Sequence, residues 1–281
     1  MARGGALAHY AEQIELKAWL QLKGLRARLR PSSEPARVTL VAGVQRSGTN
    51  MLMDVLEQSL LTDVYHERDT RAFDNYVMRD IDTIARLHAA CRAPHFVIKS
   101  LCELQRLPAL QARFPGSKIV WISRHYNDVV NSMLVSFRNH AKQAQRLALD
   151  KASDGWRGEG MSDATQAVLR RHVHPDMNDA TGAALMWYLR NVLFFEQGLD
   201  ANADTLLVSY EDLVQHPEAE FRRIFEFMGL PYAPWHSRKV VATSVSKRPP
   251  PSIDSGVRKE CERLLDRFQA TLGLQRQREA A

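Results

Sequence analysis

An α/β domain, built on a parallel sheet flanked by helices, is the fold class this sequence predicts, and three observations carry it. Short apolar runs at 38–42 (VTLVA), 95–100 (HFVIKS), 118–123 (KIVWIS) and 205–210 (TLLVSY) read as strands buried on both faces. Between them the apolar spacing changes to a helical period, and strands alternating with helices demand right-handed crossovers within one parallel sheet. The third is size: 281 residues, 45% hydrophobic and 25% charged, are an ordinary soluble composition. We read one domain over 36–281, preceded by a helix and linker over 1–35.

The first strand leads into the stretch that organises the rest. Gly43 to Thr49 form a short basic loop, after which Met51, Leu52, Val55, Leu56 and Leu60 recur at helical spacing. Strand, glycine loop and helix aim free backbone N–H groups and a helix N-terminus at an anion. Arg46 adds a planar donor fork, and Ser47 and Thr49 add hydroxyls. A tight strand–helix turn with surface polar residues is the alternative. Gly43 and Gly48 have the separation of a nucleotide triphosphatase loop, but Thr49-Asn50 stand where its Lys-Ser/Thr belongs, so a P-loop kinase lacks its lysine.

Residues 64–67 read as a short strand, 67–71 as a charged loop and 73–91 as a helix. The strand at 95–100 carries Lys99 near its end, and 101–114 reads as a helix interrupted at Pro108. The strand at 118–123 ends in Arg124, with a helix following from about Asn127. Arg46, Glu67, Lys99 and Arg124 therefore all lie at or just past strand ends, the rim where parallel sheets bind ligands. Arg124 and Ser132, about a turn into the next helix, make a second anion site; an Arg124–Asp128 pair with a surface serine is the alternative.

Residues 136–184 are polar and helical in places, and read as a lid over an acceptor, since insertions at this edge carry specificity. His172 and His174 read as surface residues, without metal-ligand spacing. A strongly apolar helix over 185–195 reads as core. After the last strand a helix from Glu218 to Met228 closes at Gly229. A basic segment with Ser244, Lys247 and Arg248 precedes three prolines, then a helix over 255–272. Residues 6–30 form a basic amphipathic helix, read first as packed with a solvated face and second as lying on an anionic membrane.

Three ordered motifs together resemble the sulfotransferases that use 3′-phosphoadenosine-5′-phosphosulfate (PAPS). RSGT at 46–49 resembles their 5′-phosphosulfate loop. Arg124 followed eight residues later by Ser132 resembles their 3′-phosphate motif, and VSYEDLVQHPEAEFRRIFEFMGLP at 208–231 resembles their V-x-Y-E-D-L segment. The resemblance implies a P-loop-like sheet, with PAPS as donor and PAP as product, and no metal. It assigns nucleotide binding to Arg46, Ser47, Gly48, Thr49, Asn50, Arg124 and Ser132. Tyr210 is either beside the nucleotide or a hydrogen-bonded core tyrosine; Ser244, Lys247 and Arg248 either fold back over the nucleotide or form a solvated loop.

Catalysis then falls to Arg46, Lys99 and a base. Lysine is common at the position of Arg46 in cytosolic members, and the substitution resembles the tyrosylprotein and some bacterial branches. The histidine that cytosolic members place after the second core strand is missing from Lys99-Ser100-Leu101. Glu67 occupies the place of the carboxylate base in the glycan and tyrosylprotein branches, with Asp69 the runner-up and Arg71 orienting one of them; a surface cluster of ion pairs is the alternative. For Lys99 the alternative is a buried stem with its head at the surface.

The acceptor offers a hydroxyl or an amine. A net charge of +6 fits anionic ligands of several kinds, yet cations at strand ends rather than along one helix argue against a nucleic-acid partner. A membrane surface at 6–30 and a second copy of the chain stay open as partners. Cys91, Cys102 and Cys261 have no C-x-x-C spacing, no apolar run approaches the roughly 18–20 residues of a membrane span, and no signal-peptide core is seen. The expected compartment is the cytoplasm, with membrane-peripheral attachment the variant.

Overall fold

A computed structural model describes Trp19, residues 21–26 and residues 34–280. The strands, in chain order, are β1 (Arg37–Ala42), β2 (Thr62–Tyr65), β3 (Phe73–Asp74), β4 (Val77–Met78), β5 (His95–Ser100), β6 (Lys118–Ser123) and β7 (Thr205–Ser209). Five of them form one sheet in the order β2-β5-β1-β6-β7, every pair parallel. The chain leaves β1 for β2 and β5 on one side, then crosses back to β6 and β7 on the other. The order therefore reverses at β1, and the crevice at that reversal opens at the strands' C-terminal ends.

The near-continuous apolar strands follow from burial on both faces. Leu40, Phe96, Ile98, Trp121 and Leu207 join one core, while Val41, Val97, Val120, Ile122 and Val208 join the other. Helices Thr49–Glu57 and Pro217–Met228 cover the second face through Leu52, Leu56, Phe221 and Phe225. Helices Tyr126–Ser136, Asp179–Asn191 and Ser255–Ala280 cover the first through Val130, Trp187 and Phe268. Gln275 of the last helix satisfies the open edge of β7, accepting from the Leu207 N–H at 2.9 Å and donating to the Thr205 carbonyl at 3.0 Å.

Several elements differ from expectation for local reasons. Residues 73–91 are not one helix: Asn75 and Tyr76, at φ 47° and 67°, turn the chain between β3 and β4, and a helix spans only Ile81–Ala90. Asp80 caps that helix, its carboxylate accepting from the Thr83 N–H at 2.8 Å. Pro108 starts rather than interrupts its helix, sitting in the first turn of Leu107–Arg113 where the missing N–H costs nothing. The apolar helix expected over 185–195 is Asp179–Asn191 followed by a short Leu193–Glu196 turn, and the last helix runs on to Ala280.

Most of the N-terminal amphipathic helix expected at 6–30 lies outside the described residues. Trp19 and residues 21–26 are helical. Trp19 donates through Nε1 to the Glu57 carbonyl at 3.0 Å, and the buried Lys23 ammonium reaches Glu57 Oε1 at 2.5 Å. Among the described residues no helix is long and apolar enough to cross a membrane.

Candidate active site

The loop after β1 is shaped by two glycines. Gly43 holds φ 150°, and a Cβ there would lie 2.6 Å from the Ile122 carbonyl oxygen. Gly48 holds φ 98°, and a Cβ there would sit 2.3 Å from the Tyr210 ring. Both positions therefore require glycine. Between them Arg46 itself takes φ 71°, a conformation that a non-glycine residue adopts at a cost and that concentrates at functional sites. The turn closes through the Ser47 N–H on the Val44 carbonyl at 3.1 Å. Helix Thr49–Glu57 starts at Gly48 with no side chain capping it, so its first N–H groups face the loop without an intrahelical partner. Ser47 Oγ is fully buried and has no hydrogen-bond partner among the described residues.

The second basic junction is joined to the first. Arg46 donates from Nε to Ser132 Oγ at 2.9 Å. Arg124, at the end of β6, donates from Nη1 to the Arg46 carbonyl at 3.0 Å and from Nη2 to the Ser244 carbonyl at 2.7 Å. Its guanidinium lies 4.1 Å from the Tyr210 ring centroid and 3.9 Å from Asp128 Oδ2, so the pairing with Asp128 given as the alternative coexists with the contacts to the loop. Arg124 Nε is buried and has no hydrogen-bond partner among the described residues.

Tyr210 is a buried, hydrogen-bonded tyrosine: its ring lies under Arg124 and against Gly48, and its hydroxyl meets Ser244 Oγ. The segment after Ser244 is strapped to the helix behind Arg124. The Ser246 N–H donates to Asp128 Oδ2 at 3.0 Å, and Asn131 Nδ2 donates to the Pro249 carbonyl at 3.0 Å. Lys247 and Arg248, on that strap, are exposed. Two supports of this corner, Trp187 and Glu211, come from outside the two basic junctions. Trp187 Nε1 donates to the Arg124 carbonyl at 3.1 Å, and Glu211 accepts from the His125 N–H at 3.0 Å and from Ser209 Oγ at 3.1 Å. The apolar helix around Trp187 gave no sign in the sequence of its contact with Arg124, 63 residues away.

On the other side of the loop, Lys99 is 1% exposed. Its ammonium donates to Asn50 Oδ1 at 2.6 Å and pairs with Glu67 Oε2. The reading of a buried stem with its head at the surface is thereby corrected: the head is buried too, because a carboxylate from the loop after β2 and an amide from the loop helix meet it. Burial pulls the Lys99 ammonium below the ordinary lysine range, with the Glu67 carboxylate opposing. Arg71 engages Asp69 through a bidentate pair, Nη2 to Oδ2 at 2.6 Å and Nε to Oδ1 at 3.0 Å, and lies over the Tyr65 ring. Burial alone would raise Asp69, but the hydrogen bonds from Arg71 hold its carboxyl below the usual carboxylate range. The two candidate bases thus differ in partner: Glu67 faces a buried lysine, Asp69 an exposed arginine.

A cavity of ≈ 430 Å³, solvent at its mouth included, adjoins the loop at Val44 and Gln45. Its far walls come from residues 136–190, including Phe137, His140 and Trp156. The insertion is packed on its own small core, Leu147, Met161 and Leu169 against Met186 and Leu189. Among the described residues, no three His, Cys, Asp or Glu side chains gather as a metal-ligand group, and no two of the cysteines are joined as a disulfide.

Residues 37–248 match the family model described as "Sulfotransferase domain". No curated protein matches the chain. Among solved structures, the sulfotransferase domain from the curacin biosynthetic pathway aligns over 83% of this chain and 98% of its own, at 14% identity and TM-score 0.49. The sulfotransferase from Alicyclobacillus acidocaldarius aligns over 85% and 94%, at 18% identity and TM-score 0.44. Mouse sulfotransferase SULT7A1, solved with PAP, aligns over 74% and 64%, at 16% identity and TM-score 0.42. With three quarters of its length inside the family match, and the parallel sheet and basic loops in the order described, this chain belongs to the sulfotransferase domain family.

Proposed function

We propose that the protein transfers a sulfuryl group from PAPS to an acceptor hydroxyl or amine, with Glu67 as the base. The observation that carries this reading is the direct link between the two basic junctions: Arg124 donates to the Arg46 carbonyl at 3.0 Å while Arg46 donates to Ser132 at 2.9 Å. One ligand with two separated anionic groups matches such a pair. The chain's residues fit PAPS on further grounds. Ser47 Oγ and Arg124 Nε are buried without hydrogen-bond partners among the described residues, and the loop helix lacks a side-chain cap; each is a donor that a phosphate oxygen would satisfy.

On this reading Arg46, Ser47, Gly48, Thr49 and Asn50 hold the phosphosulfate end. Arg124 and Ser132 hold the 3′-phosphate, while Tyr210, Ser244, Lys247 and Arg248 border the nucleotide. When bound, PAPS supplies an activated sulfuryl group. Glu67 takes the proton from the acceptor as its oxygen or nitrogen attacks sulfur. Lys99 Nζ donates to the phosphate oxygen that leaves, and Arg46 offsets charge on the non-bridging oxygens. Lys99 is poised between both tasks, since its ammonium touches Glu67 and Asn50 at once. The unit runs over 36–281, and residues 136–184 cover the acceptor.

Thermal unfolding with PAP and with magnesium–ATP tests the donor. PAP at about 100 times its Kd should raise Tm by about 5 °C or more. An equal or larger rise with magnesium–ATP alone would overturn the reading.

A further inference from the structure

The cavity beside the loop has a composition that selects its occupant. Three of its lining residues are chain neighbours of the site: Gln45 precedes Arg46, Met133 follows Ser132, and Leu101 lies two residues past Lys99. A molecule in this cavity therefore lies against the segments that carry the site's cations. Leu101, Leu104, Phe137 and Met186 make its walls apolar. Among the described residues no carboxylate lines it, whereas two guanidiniums do, Arg157 and Arg190.

Arg190 is 3% exposed, and its hydrogen bonds go to neutral oxygens: the Trp156 carbonyl at 3.0 Å, the Cys102 carbonyl at 3.1 Å and Gln105 Oε1 at 2.9 Å. Its Nε is buried with no hydrogen-bond partner among the described residues, and Glu103 and Glu159 act on the guanidinium only through space. A buried guanidinium whose neighbouring carboxylates, Glu103 and Glu159, do not bond to it directly is costly, and burial lowers its pKa to about 10 against their opposing pull. Arg157 also lies over Trp156, 4.7 Å from the ring centroid against 5.1 Å for Arg190, with Asp154 reaching Arg157 at 3.5 Å. The two arginines thus share one aromatic wall.

We propose that this cavity is the acceptor site and that it takes an amphiphilic anion, an apolar body bearing a carboxylate or phosphate recognised by Arg157 and Arg190, with its hydroxyl or amine towards Lys99 and Glu67. The inference rests on the sulfotransferase reading and adds the acceptor's class to it. The anion supplies the acceptor that Arg190 Nε lacks and a direct anionic partner for the pair of guanidiniums, and the apolar walls bury the body.

Fluorescence titration with 6-hydroxy-2-naphthoate and its methyl ester tests this, on wild type, Arg157→Gln and Gln143→Trp, the last two altering half-buried positions on the cavity wall. Wild type should bind the naphthoate at least about ten-fold more tightly than the ester. Arg157→Gln should shrink that preference to about three-fold or less, and Gln143→Trp should weaken both ligands by narrowing the cavity. Equal binding of the two, no binding of the naphthoate, or a preference untouched by Arg157→Gln would overturn the proposal. PAP titrated into the same preparations separates the two readings: an absent anion preference with PAP still bound removes only the acceptor class, whereas loss of PAP binding in wild type removes the donor assignment.

Discussion

Arg124 donates from Nη1 to the backbone carbonyl of Arg46, although 78 residues separate them. The contact makes the strained Arg46 loop depend on the strand end of β6, and it leaves Arg124 Nε unused. Replacing Arg124 by Ala removes both a cation and the clamp on the loop. With charged hydrogen bonds at about 1.5–3 kcal/mol each, PAP affinity should fall by about 10- to 100-fold. Arg124→Lys keeps the charge but loses the fork, and should recover only a small part. Calorimetric titration with PAP measures both.

Glu67→Gln should leave PAP affinity within about two-fold while lowering turnover by about 10²- to 10⁴-fold, the range for loss of a positioned base. Asp69→Asn should cost far less, because Asp69 is engaged by Arg71 rather than by the buried lysine. Steady-state rates with labelled PAPS distinguish them. Near wild-type turnover in Glu67→Gln would reassign the base.

Gly48→Ala tests the packing of the loop on the tyrosine. A Cβ at φ 98°, 2.3 Å from the Tyr210 ring, forces the ring or the loop to move. Overpacking of this kind costs about 1–3 kcal/mol, so urea unfolding should shift to lower midpoint and PAP binding should weaken with it. An unchanged midpoint would mean that the loop does not rest on Tyr210.

His140 gives a pH signature. It is buried at 4% exposure, and burial lowers its pKa below the ordinary histidine value against the opposing pull of Met133 and Asp179. Between that lowered value and about 6.5 the unfolded chain binds a proton that the folded chain refuses. Stability at His140 is therefore present above pH 6.5 and lost as pH falls through that window. Comparing Tm at pH 7.5 and 5.5, His140→Phe should lose less on acidification than wild type; an identical loss in both would contradict the assignment.

What the sequence revealed follows from where each signal resides. The strands were legible because VTLVA, HFVIKS and KIVWIS are apolar at consecutive positions, as burial on both faces requires. The loop after β1 was legible because glycine spacing and RSGT are local. The link between Arg46 and Arg124 was not, since nothing in two distant stretches states a distance. The β3–β4 hairpin was misread as helix because Phe73, Val77, Ile81 and Ile84 recur at four- and three-residue spacing, although the chain turns back between Phe73 and Met78. The buried state of Lys99 escaped for a third reason: its partners come from two other segments, and a lone lysine at a strand end reads as solvated.

The central claim is that one nucleotide with two separated phosphates is held by two joined basic junctions. Titration of wild type and Arg124→Ala with PAP and with 5′-AMP, which lacks the 3′-phosphate, tests it most directly. Wild type should bind PAP at least about ten-fold more tightly than 5′-AMP, and Arg124→Ala should reduce that advantage to about two-fold or less. Equal affinity of the two nucleotides for wild type, or an advantage undiminished in Arg124→Ala, would contradict the account.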